Sequence, residues 1–131
     1  QRLKLNPEVF ILLNNDYLKL FYQEHKDEVK LYKGYLLKAI DGSDFEIPNT
    51  KEAKKIYGIV GTKVKNKDDT IARATVSTSY DVLNKYIIEG FISPYRTSEN
   101  KSALEHLLHD KEITKDYKSI YIMDRGYISN L

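Results

Sequence analysis

At 131 residues and 41% hydrophobic content, the chain is sized for one domain with one modest core. Its 21 Lys and Arg against 19 Asp and Glu leave a net charge of +2, so any basic surface must come from local clustering. The lack of cysteine excludes disulfides and thiolate metal sites. The longest apolar run, residues 9–13, is far short of the roughly 18 residues of a membrane span, and no signal-peptide pattern opens the chain, so a soluble cytoplasmic protein is expected.

Taken in chain order, the first pattern is helical. Phe10, Leu13, Tyr17, Leu20 and Phe21 recur at three and four, the period of a helix with one buried face, and Asn6-Pro7 is suited to open it. Residues 35–40 form a short apolar run ended by Asp41-Gly42, which reads as a strand followed by a turn, with Asp41 at the strand's C-terminal end. A long lysine-rich connection over 42–70 follows, with a helical turn expected at 52–57. From Ile71 the residues alternate: Ala72, Ala74, Val76, Thr78, Tyr80 and Val82 on one face, Arg73, Thr75, Ser77, Ser79 and Asp81 on the other. A turn near Asn84 leads to a second β-rich run at 86–93, implying an antiparallel hairpin. Ser98 is a suitable N-cap for an amphipathic helix over 98–110 with an apolar stripe of Ala103, Leu104, Leu107 and Leu108. Residues 119–123 read as a buried strand that delivers Asp124, after which "RGYISNL" leaves the sheet.

The order is thus strand, long connection, strand, strand, helix, strand. A strand reached through a helical crossover normally runs parallel to another strand of its sheet, so the last can lie beside the first. Neighbouring parallel strands are about 5 Å apart, which brings Asp41 and Asp124 to one place. Two such carboxylates repel unless one is protonated or a cation lies between them, and hard oxygen ligands suit Mg²⁺ or Mn²⁺. The plain alternative is that each aspartate makes a turn. Ser43 and Asp44 read as turn residues.

"AIDGSDFEIPNT", "TSYDVLNKYIIEG" and "YIMDRGYIS", in this order and spacing, resemble the catalytic domain of the DDE transposases of bacterial insertion sequences, in the branch with Asp-Gly-Ser and Asp-Arg-Gly-Tyr motifs. The likeness runs from about Leu36 to the end. It implies an α/β, ribonuclease H-like mixed sheet, with a three-strand antiparallel portion, a parallel fourth strand and flanking helices. It divides the chain into an N-terminal helical segment, 1–34, and a partial catalytic core, 35–131. It also implies divalent-metal-dependent DNA cleavage and strand transfer, with Asp41 and Asp124 as the first two catalytic, metal-binding acids and transposon-end DNA as partner. The family's third acid, a glutamate, stands on a helix well beyond the second aspartate. The sequence stops seven residues after Asp124, so a fragment incomplete at the C-terminus, weak in metal binding and inactive alone, is expected.

Other residues carry two readings each. Arg125 meets a phosphate or is a structural partner of the acidic site. Lys51, Lys54, Lys55, Lys63, Lys65 and Lys67 contact a DNA backbone or are simply solvated, the commoner outcome for a lysine-rich loop. His106 and His109 lack further zinc ligands and read as surface histidines. A self-contained nuclease would need Glu89 or Glu99 as third acid. A non-catalytic DNA- or protein-binding remnant is the other alternative. The apolar edge of the last strand invites homodimerisation.

Overall fold

The computed structural model describes residues 5–61, 63–64 and 67–125, with the backbone alone at 63, 64, 67 and 68. The elements are α1 (Glu8–Glu24), β1 (Leu36–Glu46), α2 (Lys51–Tyr57), β2 (Ile59–Val60), β3 (Lys63–Val64), β4 (Lys67–Asp68), β5 (Ile71–Asp81), β6 (Tyr86–Pro94), α3 (Glu99–Ile113) and β7 (Ser119–Ile122). The long connection therefore holds a helix and three short strands. β3 and β4 form a separate two-stranded hairpin.

The other five strands make one open mixed sheet. β1 and β6 flank β5, both antiparallel to it, and β7 lies parallel to β1 on its other side, giving the order β6, β5, β1, β7. β2 pairs with Ile71 and Ala72, which β6 does not reach. The alternation over 71–82 thus makes the central strand, and the helical crossover returns the chain beside β1, as the connection rules require.

β1 does not end at Asp41. It pairs with β5 from Lys38 opposite Asp81 to Glu46 opposite Arg73, so Asp41 stands in mid-strand opposite Thr78, with Gly42 opposite Ser77. The Asp-Gly turn is corrected because the eleven-residue β5 offers an antiparallel partner all along, and a glycine inside a paired ladder does not break it. Ser43 and Asp44 are likewise strand residues. The tight turn stands just before β1 instead: Lys33 and Gly34 both take positive φ, and Tyr32 and Tyr35 exchange backbone hydrogen bonds across them.

Residues opposite each other in the ladder share a face. Leu36, Lys38 and Ile40 lie with Asp81 and Ser79 on the face covered by α1 and α3, and all five are buried. One core cluster joins Leu18 and Tyr22 of α1, Leu36, Ile88 and Ile113, and a second joins Ile40 to Ala103 beside Tyr121 and Met123. A bulge at Ser79/Tyr80 leaves Ile88 as an extra residue, so that Ile88 enters the core while its neighbour Glu89 also reaches α3.

Both long helices bury a different face from the one expected. In α1, Phe10, Leu13, Tyr17 and Leu20 are exposed, and Leu18 and Tyr22 are buried. The helix is apolar on several sides, so its period alone does not choose the face. In α3, Leu104 and Leu108 are exposed, and Ser102, Ala103, His106, Asp110 and Ile113 are buried. The physical reason lies in β5, whose Ser77, Ser79 and Asp81 present polar groups that a leucine stripe would leave without partners.

Candidate metal centre

β1 carries Asp41 and β7 leads to Asp124. The parallel register sets Leu36 opposite Ser119 and Ala39 opposite Ile122. The pairing ends there, and a register carried two residues further would set Asp41 level with Asp124, which follows β7 by two residues. Both aspartates are exposed. The Gly42 N–H donates to Asp41 Oδ1 at 2.8 Å, and the Arg125 N–H donates to Asp124 Oδ1. Each Oδ2 has no protein partner among the described residues. Two hard oxygen ligands of this kind fit Mg²⁺ or Mn²⁺ in charge and donor type, but leave most coordination positions to water or phosphate. Among the described residues, no group of three or more His, Asp or Glu is placed to hold a metal.

Neither candidate third acid joins them. Glu89 stands opposite Ser79, on the sheet face that α3 covers, whereas Asp41 stands opposite Thr78 on the other. Its carboxylate is already engaged, with His106 Nδ1 at 2.9 Å and His109 Nδ1 at 3.4 Å. Glu99, exposed in the first turn of α3, borders a shallow depression with Gly42, Asp44, Thr75, Arg96 and Thr97. Asp44 accepts the Thr75 hydroxyl at 2.6 Å and points away from the Asp41 face. Ser43, two residues from Asp41, shares its face.

Arg125 is exposed beside Asp124. Lys51, Lys54 and Lys55 lie on α2, which Thr50 caps by accepting the Ala53 N–H at 3.1 Å. Lys54 is half-buried, its Nζ donating to Thr70 Oγ1 at 2.9 Å, while Lys51 and Lys55 are exposed. Lys63 and Lys67 belong to the β3–β4 hairpin, and their side chains, like the whole of Lys65 and residues 126–131, lie outside the described residues.

His106 is fully buried, which corrects its reading as a surface residue, and His109 is half-buried. His106 Nε2 meets Ser77 Oγ at 2.9 Å, with the Phe91 ring 4.5 Å away centre to centre. One helical turn on, Ser79 Oγ donates to Asp110 Oδ2 at 2.9 Å, and Lys38 Nζ lies 3.3 Å from the same oxygen and donates to Thr114 Oγ1 at 2.8 Å. The Tyr22 hydroxyl donates to Asp81 Oδ2 at 2.6 Å, while Asp81 Oδ1 accepts the N–H groups of Leu83 and Asn84 and so shapes the β5–β6 turn. Burial holds the Lys38 ammonium below its ordinary pKa, against the opposing effect of Asp110 and then Asp81. Burial, then the bond to Asp81, pushes the Tyr22 phenol well up. This polar layer had a legible signal: Ser102, His106, Asp110 and Thr114 recur at four, and Ser77, Ser79 and Asp81 at two, so a polar helix stripe matches a polar strand face.

Comparison with known proteins adds no relative: no family model, curated protein or solved structure matches the chain. Among the described residues, no helix is long and apolar enough to cross a membrane.

Proposed function

We propose that this chain is part of a DDE transposase catalytic domain of ribonuclease H-like fold, in which Asp41 and Asp124 are the first two acids of a Mg²⁺ or Mn²⁺ centre acting on DNA phosphodiesters. The observation that carries the reading is the parallel pairing of β1 and β7, which ends at Ala39 opposite Ile122, two residues before Asp41 and Asp124 respectively. Support also comes from the sheet order, with an antiparallel trio and a parallel fourth strand. The resemblance implies a sheet of this order.

In such a centre the metal ions activate the attacking oxygen and stabilise the leaving one. Asp41 and Asp124 would hold them, and Arg125 is suited to a neighbouring phosphate. Exposed Lys51 and Lys55 supply sequence-independent backbone attraction. Glu89 turns to the other face and is engaged by histidines, which disfavours a self-contained nuclease that uses it as third acid.

Two acids alone would fix a metal poorly, and placement is most of what a protein contributes to phosphoryl transfer, so these 131 residues alone should not cut DNA. The test is an extended chain translated from the reading frame beyond Leu131. If that extension supplies a helix with a Tyr, Arg, Glu and Lys signature, it should nick DNA with Mg²⁺, and Asp41→Ala and Asp124→Ala should each abolish nicking. Mg²⁺-dependent nicking that survives both substitutions would overturn the reading.

A further inference from the structure

Arg73 of β5 and Arg96, which follows β6, both lie over the ring of Tyr95, their guanidinium carbons 5.8 and 5.1 Å from its centre. The cluster stands at the end of the sheet away from β7. Arg73 is opposite Glu46, the last residue of β1, about 16 Å along that strand from Asp41. Cation–π contact explains why each arginine rests on the ring, and it leaves the charges without a counterion. Among the described residues, neither guanidinium forms an ion pair or donates a hydrogen bond, although Glu46 stands opposite Arg73, and Asp44 and Glu99 border the depression beside Arg96. Asp44 is taken up by the Thr75 hydroxyl.

Both arginines are fixed in place. Arg73 Nε is buried without a partner among the described residues, so packing holds that guanidinium. Arg96 is held by its backbone: its φ of 62° is left-handed, in a turn where the Thr97 N–H and hydroxyl both donate to the Pro94 carbonyl, at 3.0 and 2.6 Å. Two fixed cations with five N–H donors each and no protein anion are preorganised for a bound one. Their field reaches Tyr95, whose phenol Arg96 first, and then Arg73, hold below its ordinary pKa against burial and Asp44. The surroundings suit a chain of phosphates rather than a single one. Arg96 is exposed, and α2, with exposed Lys51 and Lys55, is tied to the cluster: Tyr57 O accepts the Tyr95 N–H at 2.7 Å, and Gly58 O the Arg73 N–H at 3.2 Å. Cations set across neighbouring elements track a nucleic-acid backbone, and the exposed Glu46, Glu52 and Glu99 among them hold the affinity down.

We propose that Arg73, Tyr95 and Arg96 form a phosphodiester-binding site that grips a DNA backbone, extended by Lys51 and Lys55 of α2. The site needs no metal and stands apart from Asp41 and Asp124. Only the choice of DNA as the polyanion rests on the proposed function.

The test is binding of a short fluorescent DNA duplex to the whole chain in EDTA, over a range of salt. Arg73→Gln and Arg96→Gln should each weaken binding several-fold and lower the slope of log affinity against log salt by about 0.9, the share of one phosphate contact. Lys115→Gln, the same charge change just past the other end of α3, should leave the slope unchanged. Arg96→Gly should lose the same affinity while keeping or raising the melting temperature, because glycine takes positive φ freely, which separates loss of binding from loss of fold. The drop caused by Arg96→Gln should be the same in an Asp41→Ala background, so that this site and the two-carboxylate reading stand or fall separately. A wild-type chain that does not bind the duplex would overturn the inference. So would equal losses of slope in Arg96→Gln and Lys115→Gln, or displacement of the duplex by inorganic phosphate well beyond that by chloride at the same ionic strength, which would mark a site for free phosphate.

Discussion

The buried pair of Lys38 and Asp110 is the least expected feature at the scale of single residues. Lys38 interrupts an apolar strand, and both side chains are fully buried. Asp110 Oδ1 has no hydrogen-bond partner among the described residues, so its carboxylate depends heavily on the ammonium and Ser79. Lys38→Ala should therefore cost about 3–5 kcal/mol in urea unfolding, because it strands a buried charge, while Lys38→Met with Asp110→Leu should recover most of the loss. Equal stability of the single and double variants would contradict this. The pH dependence follows from the direction of the shifts. Lys38 loses its proton more readily when folded, so between its lowered pKa and the usual value of about 10.4 the unfolded chain binds more protons, and stability rises with pH. Tyr22 is raised well above its ordinary pKa, and Tyr121 is pushed up to about 12 by burial first and Asp110 second. Both stay neutral in the fold above pH ~10 while the unfolded chain ionises them, so stability falls there. Wild type should show an alkaline maximum, and the rising limb should vanish in the Lys38→Met, Asp110→Leu double variant. A flat profile in wild type would contradict the burial of a charged lysine.

At the scale of elements, α3 is held by its polar stripe and by Ile113 rather than by its leucines. Ile113→Ala should cost about 2–5 kcal/mol, while Leu104→Glu and Leu108→Glu should each change stability by less than about 0.5 kcal/mol. Comparable losses at all three positions would restore the leucine stripe as the buried face. The existence of α3 was legible in its spacing and in Ser98. Its orientation was not, because Leu104, Leu107 and Leu108 outweigh Ser102, His106 and Asp110 on any scale that credits single residues. The strand face that receives the helix decides, and Ser77, Ser79 and Asp81 select polar partners. β5 itself was fully legible from its alternation. β1 was read five residues too short because Asp41-Gly42 mimics a turn, and only the length of β5 reveals that pairing continues.

At the scale of the whole molecule, α1 and α3 cover one face of the sheet, and on the other, where Ala72 and Ala74 are buried, Ile87, Ile92, Ile120 and Ile122 are exposed among the described residues. Among the described residues no strand pairs with the outer edge of β7, an apolar edge suited to pairing with a second copy. The chain should therefore self-associate, and Ile122→Lys should weaken association without unfolding, since Ile122 is exposed. Sedimentation as a strict monomer at high micromolar concentration would contradict this. The parallel return of β7 beside β1 was legible from connection rules alone, because a crossover helix dictates it. The opposite facing of Glu89 was not, since it depends on a bulge at Ser79/Tyr80 that no residue type announces. The central claim is that Asp41 and Asp124 form one cation site, and Mn²⁺ line broadening in NMR tests it most directly. Signals flanking both aspartates should broaden together at the same low Mn²⁺ concentration, with weak affinity, and Asp41→Ala should relieve the broadening at both. Broadening around one aspartate only, or unchanged broadening at Asp124 in Asp41→Ala, would contradict the account.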